Sequence, residues 1–246
     1  MRINVWLLAS FLSLFATATW AQHGWGYEGE HGPRHWGALN KEYASCGAGK
    51  AQSPIDIRGA VPGKLSPIQF DYRAAPLHII DNGHTVQVNY GSGSSMSVDG
   101  KRYELVQFHF HRPSEETIDG VAYPMEAHLV HKDAQGHLAV VAVLLKQGKD
   151  NPFLGSLWAN LPTEKEKEKI AEKVSINAAS LLPKNHAYYT FAGSLTTPPC
   201  SEGVTWFVLT TSVDLSAGQV ARFDRIYHNN ARPTQPLNGR VVRLSQ

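Results

Sequence analysis

The chain has 246 residues, of which 42% are hydrophobic and 18% charged, and its formal net charge is +2. This length allows one large domain or two small ones, and the composition is that of a globular protein with a substantial core. The nearly balanced charge argues against a polyanionic partner such as nucleic acid.

Residues 1–21 have the pattern of a signal peptide. A short basic start precedes an apolar run over 5–15, and small residues follow it. The pattern predicts cleavage after Ala21, with Ala18 as a second option. A membrane anchor is the alternative, but the run is shorter than the ~20 residues that a spanning helix needs. We therefore expect an exported mature domain, 22–246, without a membrane segment, in the periplasm or secreted.

Cys46 and Cys200 are the only cysteines of the sequence. In an exported chain an isolated pair favours a disulfide, and two thiols that never meet are the alternative. The bond would close a very long loop, which in the chain-entropy model stabilises the fold by about 4–5 kcal/mol.

The segment 67–145 has the pattern of a series of β-strands. Short alternating or apolar runs are separated by turn residues, and Asp99-Gly100 predicts a tight turn. The predicted strands cover 85–90, 96–98, 103–111, 125–131 and 138–145.

Two later segments favour helices. One is 151–160, and the other is Thr163–Lys173, whose opposite charges at helical spacing predict a solvated surface helix. The β pattern then returns from Tyr188, with a strand over 204–209, and the last residues predict an irregular segment that ends in a strand. With no repeat or linker, the chain is predicted to be a single, mainly β domain with a few surface helices.

A His-x-His pair lies on the strand predicted over 103–111. Because side chains alternate along a strand, His109 and His111 share one face, and Phe108 and Phe110 lie on the other. His128 follows on the next predicted strand. Three neutral imidazoles on rigid strands suit zinc, with the fourth position left for water. The His-x-His pair alone favours satisfied or surface histidines, and the third histidine on a neighbouring strand makes a metal site about equally favoured.

Polar residues lie two positions before two of these histidines. Gln107 and Glu126 alternate onto the same faces as His109 and His128, and each can accept a ring N–H, the contact that fixes a ligand's orientation. His131 points to the opposite face from His128, so we exclude it as a ligand.

Eight blocks along the chain form a wider pattern. They are Trp25-Gly26-Tyr27 with His35-Trp36, and the stretches 52–57, 82–84, 108–111, 113–115, 126–131, 193–200 and 204–206. In this order and spacing they resemble the alpha-class carbonic anhydrases, of the bacterial exported type, over nearly all of the mature chain. The resemblance implies a single domain built on a large, mostly antiparallel, twisted central β-sheet. It also implies Zn²⁺-dependent reversible hydration of CO2 to bicarbonate and a proton.

The resemblance assigns roles to individual residues. It implies that His109, His111 and His128 hold the zinc, on which hydroxide forms and attacks CO2. Thr196 is expected to orient that hydroxide while donating its own hydrogen to Glu115. His84 is expected to be the proton shuttle, on a turn that leaves its ring accessible.

The same resemblance implies a substrate pocket and a water network. The pocket residues are Thr196, Thr197, Val130, Val140, Leu195, Val204 and Trp206. The residues expected to order water near His84 are Tyr27, Asn82 and Gln87. The two cysteines also stand where bacterial members carry a disulfide.

Two positions depart from the family pattern. Glu116 stands where many bacterial relatives have histidine, and Gln87 where some have asparagine. Glu115 is retained, so the expected catalysis is not put in doubt.

Three alternatives make different demands on the sequence. A carbonic-anhydrase-related binding protein would lack one or more ligand histidines. A hydrolase acting on esters or peptides would show the His-Glu-x-x-His helix of a zinc protease or the Gly-x-Ser-x-Gly turn of a serine hydrolase, and neither pattern is in the sequence. A β-sandwich adhesion or carbohydrate-binding module leaves the Gln-x-His and Glu-x-His pairs unexplained. The expected partner is a small-molecule substrate, and a homodimer is compatible with the sequence.

Overall fold

The computed structural model of the protein describes residues 24–245. The predicted signal peptide and its cleavage sites lie outside these residues. Within 24–245, no helix is both long enough and apolar enough to cross a membrane.

Strands account for most of the regular structure. They are β1 (Asp56–Ile57), β2 (Val61–Gly63), β3 (Gln69–Asp71), β4 (Ala75–Asp81), β5 (Val86–Asn89), β6 (Ser95–Val98), β7 (Lys101–His111), β8 (Thr117–Ile118), β9 (Val121–Ala122), β10 (Met125–Lys132), β11 (Leu138–Gln147), β12 (Lys169–Ile176), β13 (Tyr188–Ser194), β14 (Glu202–Leu209), β15 (Val213–Leu215) and β16 (Arg243–Ser245). The α-helices are α1 (Trp36–Leu39), α2 (Ser45–Ala48), α3 (Pro152–Ala159) and α4 (Ala217–Asp224), and 3-10 turns cover Gly29–His31, Lys41–Tyr43 and Ala178–Leu181.

A single 13-stranded sheet forms the centre of the domain. Its main path runs β12-β4-β5-β7-β10-β11-β14-β13-β16-β2, with β3, β6 and β15 attached beside it. Most neighbours are antiparallel, but β11 pairs in parallel with β14 and β15, and β16 pairs in parallel with β2. The predicted mainly β fold with a large, mostly antiparallel sheet is confirmed, and the sheet is mixed.

The helix predicted over 151–160 is confirmed as α3. Asn151 caps it, because its side-chain oxygen accepts hydrogen bonds from the backbone N–H groups of Phe153 and Leu154. Pro152 occupies the first helical position, where a missing N–H costs nothing.

The helix predicted over Thr163–Lys173 is wrong. From Lys169 onward the chain forms β12, which pairs antiparallel with β4 at the edge of the sheet. Exposed charge pairs at helical spacing contribute only about 0.2–0.5 kcal/mol each, whereas pairing with an open sheet edge satisfies a row of backbone groups. The lysines on this strand also suit an exposed edge.

The two faces of the sheet bury different clusters. Phe108 and Phe110 point into the larger core, which includes Trp158 of α3. A smaller apolar cluster on the opposite side contains Val140 and Trp206. The alternation along β7 therefore sends the phenylalanines into the main core and the histidines between them to the other face.

Candidate metal centre

Sheet register brings the three predicted histidine ligands together. β7 and β10 are antiparallel neighbours in which His128 lies opposite His109, and Glu126 lies opposite His111. The ring centroid of His109 is 5.0 Å from that of His111 and 5.3 Å from that of His128. The centroids of His111 and His128 are 4.6 Å apart. One ring nitrogen from each lies within 4.8 Å of the other two.

The outer nitrogens of the first two histidines have fixed partners. Nδ1 of His109 lies 2.9 Å from Oε1 of Gln107, and Nδ1 of His111 lies 2.8 Å from the backbone oxygen of Asn230. This arrangement leaves Nε2 of each ring for the centre, and Nε2 of His111 is buried without a hydrogen-bond partner among the described residues.

His128 is oriented the other way round. Its Nε2 lies 3.5 Å from Oε2 of Glu126 and 3.4 Å from Oε2 of Glu116, both fully buried carboxylates. Nδ1 is therefore the nitrogen left for the centre.

The pKa shifts of the three imidazole rings differ in direction. Burial and the neighbouring imidazoles lower the pKa of His109 and His111 well below the usual value, so both are neutral. Burial also opposes the charged form of His128, but the carboxylates of Glu126 and Glu116 outweigh it and raise its pKa to about 10. A metal cation would take the place of the proton at Nδ1.

This donor set fits zinc. Three imidazole nitrogens converge from rigid strands, and on each ring the other nitrogen faces a carboxylate, an amide oxygen or a backbone carbonyl. Zinc accepts imidazole ligands in this number, and such outer contacts hold the rings in place.

Glu115 lies beside the centre. Its Oε2 is 3.5 Å from Nε2 of His111 and 3.8 Å from Nδ1 of His128, and its Oε1 accepts a hydrogen bond of 2.8 Å from the backbone N–H of Arg232. Burial raises the pKa of Glu115 to about 7, while His128, the Arg232 N–H and the Thr196 side chain oppose that rise.

Thr196 and Thr197 lie on the turn that follows β13. The turn is closed by a 2.8 Å hydrogen bond from the N–H of Cys200 to the carbonyl of Thr197. The predicted disulfide between Cys200 and Cys46 is present, with the two Cα atoms 5.0 Å apart. Gln52 donates to the carbonyl of Cys200 as well, at 3.0 Å. The turn that carries both threonines is thus attached to the N-terminal part of the domain.

A cavity of about 130 Å³ opens beside the histidines. Its lining combines two of the candidate ligands with residues predicted for the water network; the lining residues are Trp25, Tyr27, Asn82, His84, Thr85, Gln87, Gln107, His109, His111 and Thr197. The side-chain amide of Asn82 donates to Oε1 of Gln87 at 3.2 Å, so these two polar groups are held together at the wall.

The family comparison agrees with this geometry. The family model described as eukaryotic-type carbonic anhydrase matches residues 31–246. The chain belongs to the alpha-class carbonic anhydrase family. Members are enzymes that hydrate carbon dioxide and depend on a metal, and the substrate is a small molecule.

Individual relatives cover nearly the whole chain. A carbonic anhydrase of Klebsiella pneumoniae is 48% identical over 235 residues, which is 94% of each chain. One of Pectobacterium carotovorum is 45% identical over 243 residues, or 98% of each. The solved alpha-carbonic anhydrase of Thermovibrio ammonificans, in complex with the inhibitor sulfanilamide, has a TM-score of 0.86 at 45% identity and covers 90% of this chain and 98% of its own.

The five apolar residues predicted for the CO2 pocket lie in one apolar cluster of the enzyme. The cluster contains Val140, Val204 and Trp206, with Val130 and Leu195 packed against it. Register explains the grouping, since Val130 lies opposite Val140 and Val140 lies opposite Trp206. The Trp206 ring is 4.9 Å from that of His128, centroid to centroid.

His84 differs in part from its prediction. The expected turn is present, with Gly83 at φ 85° and the side chain of Asn82 accepting from the backbone N–H of His84. The ring, however, stacks on Trp25, with centroids 3.7 Å apart and planes at 9°. One face is covered, so the imidazole is half-buried instead of openly accessible.

His131 lies on the other face of the sheet, as predicted. It is fully buried, and its Nε2 is 2.7 Å from the hydroxyl oxygen of Tyr72.

Sequence reasoning missed two buried residues of the C-terminal segment. Asn230 supplies the carbonyl that meets His111, and its side chain donates to the carbonyl of Phe110 at 2.9 Å. The backbone N–H of Arg232 donates a hydrogen bond to Glu115, and its guanidinium donates to the backbone carbonyls of residues 46 and 53. Neither residue stands in a periodic pattern, so nothing in the local sequence marks either one.

Proposed function

We propose that the protein catalyses the reversible hydration of CO2 to bicarbonate and a proton, with zinc held by Nε2 of His109, Nε2 of His111 and Nδ1 of His128. The observation that carries the proposal is the convergence of these three rings, each with its other nitrogen against a fixed partner. When bound, zinc would lower the pKa of a water molecule so that it ionises near neutral pH and can act as the nucleophile.

The pair of Glu115 and Thr196 orients the reacting water. Oε1 of Glu115 accepts the N–H of Arg232, Oε2 has no hydrogen-bond partner among the described residues, and the Thr196 side chain acts to lower the pKa of this carboxyl. If the Thr196 hydroxyl donates to this carboxylate, its oxygen can only accept from the water. A lone pair of the water then points toward the carbon of CO2, which is a positioning effect.

An apolar wall accepts the substrate. CO2 has no net dipole, so the apolar cluster around Val140 and Trp206 can bind it. Bicarbonate is charged and leaves this apolar site readily, because burying a charge without a partner is unfavourable. Thr197 borders the cavity at the polar side.

His84 carries the proton away. Its ring lines the cavity that also reaches His109 and His111, and Tyr27, Asn82 and Gln87 line the same cavity. A cavity of about 130 Å³ has room for a few water molecules, which these polar groups can order. An imidazole titrates near neutral pH and can therefore pass the proton on to buffer.

The mature enzyme acts after export, as the domain 22–246 in the periplasm. Support comes from the pattern of residues 1–21 and from the disulfide, since disulfides persist in oxidising compartments.

Stopped-flow measurement of CO2 hydration tests the proposal. The mature protein, with its metal content counted, is expected to hold one zinc per chain and to hydrate CO2. Activity should disappear on chelation, return with zinc, and be inhibited by a sulfonamide. A folded, zinc-loaded sample without hydration activity would refute the proposal, and a folded sample that binds no zinc would favour a metal-free binding protein.

A further inference from the structure

A second buried carboxylate lies behind one of the candidate ligands. Glu116 belongs to the turn between β7 and β8 and is fully buried. Its Oε2 is 3.4 Å from Nε2 of His128. Neither of its carboxylate oxygens has a hydrogen-bond donor among the described residues.

Glu126, the acceptor expected from the sequence, is already engaged elsewhere. Its Oε2 accepts the backbone N–H groups of Glu115, at 2.8 Å, and Glu116, at 3.1 Å. The same oxygen lies 3.5 Å from Nε2 of His128, slightly farther than the oxygen of Glu116. Nε2 of His128 thus lies within 3.5 Å of a carboxylate oxygen from each of two residues, a contact longer than a linear hydrogen bond.

The two carboxylates are held by different parts of the fold. Glu126 projects from β10, whereas Glu116 is fixed by its turn, where the hydroxyl of Ser114 donates to the Glu116 carbonyl at 2.7 Å. The N–H of Tyr123 in turn donates to that hydroxyl at 2.9 Å. Contacts from two carboxylates that project from different segments restrict the rotation of the His128 ring more than a contact from one.

We propose that Glu116 is a positioning residue for the metal centre: together with Glu126 it holds Nε2 of His128, and it thereby aims Nδ1 at the metal. This inference rests on the proposed zinc enzyme. The orientation of one ligand thereby depends on two carboxylates, where the sequence pattern indicated only Glu126.

Three substitutions of Glu116 distinguish the effect of side-chain length from the effect of the carboxyl group. Glu116→Gln keeps an acceptor oxygen on a side chain of the same length, Glu116→Asp keeps the carboxyl group but withdraws it by one methylene, and Glu116→Leu removes the acceptor at similar volume. Loss of such an outer contact typically weakens metal binding by about 10–100-fold. We expect that loss for Leu, a smaller loss for Asp, and zinc affinity close to wild type for Gln, measured by competition with a chromophoric chelator.

Two further measurements exclude a merely structural role. A structural defect lowers the Tm of the metal-free and the zinc-loaded protein by similar amounts. A positioning defect instead reduces the increase in Tm that zinc binding produces. In the cobalt-substituted protein, the visible absorption bands report ligand geometry and should change for Asp and Leu but not for Gln. Glu104→Leu, on the exposed part of β7, is the control and should alter neither quantity.

The outcomes are distinct from those that test the catalytic proposal. If wild-type protein binds no zinc, the proposed function fails. If it binds zinc and hydrates CO2, while both Glu116→Asp and Glu116→Leu keep wild-type zinc affinity and cobalt spectra, only the role of Glu116 is refuted. If Leu does not fold, the comparison of Asp with Gln decides the matter.

Discussion

Individual side chains in the site are held by partners far away in the sequence. His84 illustrates this, because the turn at Asn82 and Gly83 places its ring, but Trp25 determines how much of it reaches water. A stacked, half-buried imidazole can still move a proton to the solvent, provided that ordered water reaches it from the centre.

Replacing His84 by alanine should slow proton export without changing the hydration step. In weak buffer we expect turnover to fall by at least about 10-fold, since a general acid–base group usually contributes 100-fold or more and buffer offers a slower route. Added imidazole should restore turnover, and kcat/KM should hardly change. His137→Ala, on an exposed turn, is the control. Wild-type turnover in weak buffer, with no effect of imidazole, would contradict the shuttle.

Thr196→Ala should reduce kcat/KM by about 100-fold, in line with the loss of one well-placed hydrogen-bonding group at a reacting centre. Zinc content should stay at one per chain, because Thr196 is not among the candidate ligands. Thr196→Ser keeps the hydroxyl and should retain most of the activity. Equal loss in the serine and alanine variants would show that the methyl group, and not the hydroxyl, matters.

At the scale of elements, the centre depends on strand register and on one irregular segment. β7 and β10 align His109 with His128, and the C-terminal segment then brings Asn230 and Arg232 against the back of the site. Alternation along a strand follows from backbone geometry, so the faces of the histidines could be predicted. The contacts of Asn230 could not, since it meets His111 across 119 residues of sequence.

Asn230→Ala tests the structural weight of that segment. The side chain is fully buried, donates to the carbonyls of His84 and Phe110, and accepts from the N–H of Arg112. Leaving such groups unpaired should lower the free energy of unfolding by about 2–3 kcal/mol, measured by urea denaturation of the metal-free protein. The exposed neighbour is the control, and Asn229→Ala should change stability by less than about 0.5 kcal/mol. Equal stability of the two variants would argue against the role of Asn230.

On the scale of the whole molecule, one covalent link joins distant parts of the domain. Cys46 and Cys200 are 154 residues apart, and the link ends on the turn that carries Thr196. Such a bond restricts the unfolded chain far more than the folded one.

The double variant Cys46→Ser/Cys200→Ser should therefore be less stable by about 2–5 kcal/mol. Urea denaturation of the variant and of wild type, each with and without reductant, gives the measurement. Reductant should destabilise wild type toward the variant and leave the variant unchanged. Identical unfolding midpoints for oxidised wild type and variant would show that the bond contributes nothing.

The sequence alone is enough to predict the faces of His109 and His111, the cysteine pair and the family blocks, because alternation and motif spacing are local properties of the chain. The helix predicted over Thr163–Lys173 is wrong, because strand pairing with β4 is more favourable than the weak charge pairs of a helix. Three contacts became visible only in the folded domain: His128 lies opposite His109, Trp25 covers His84, and Glu116 lies fully buried against His128. These contacts depend on how distant segments pack, and packing is a property of the whole chain.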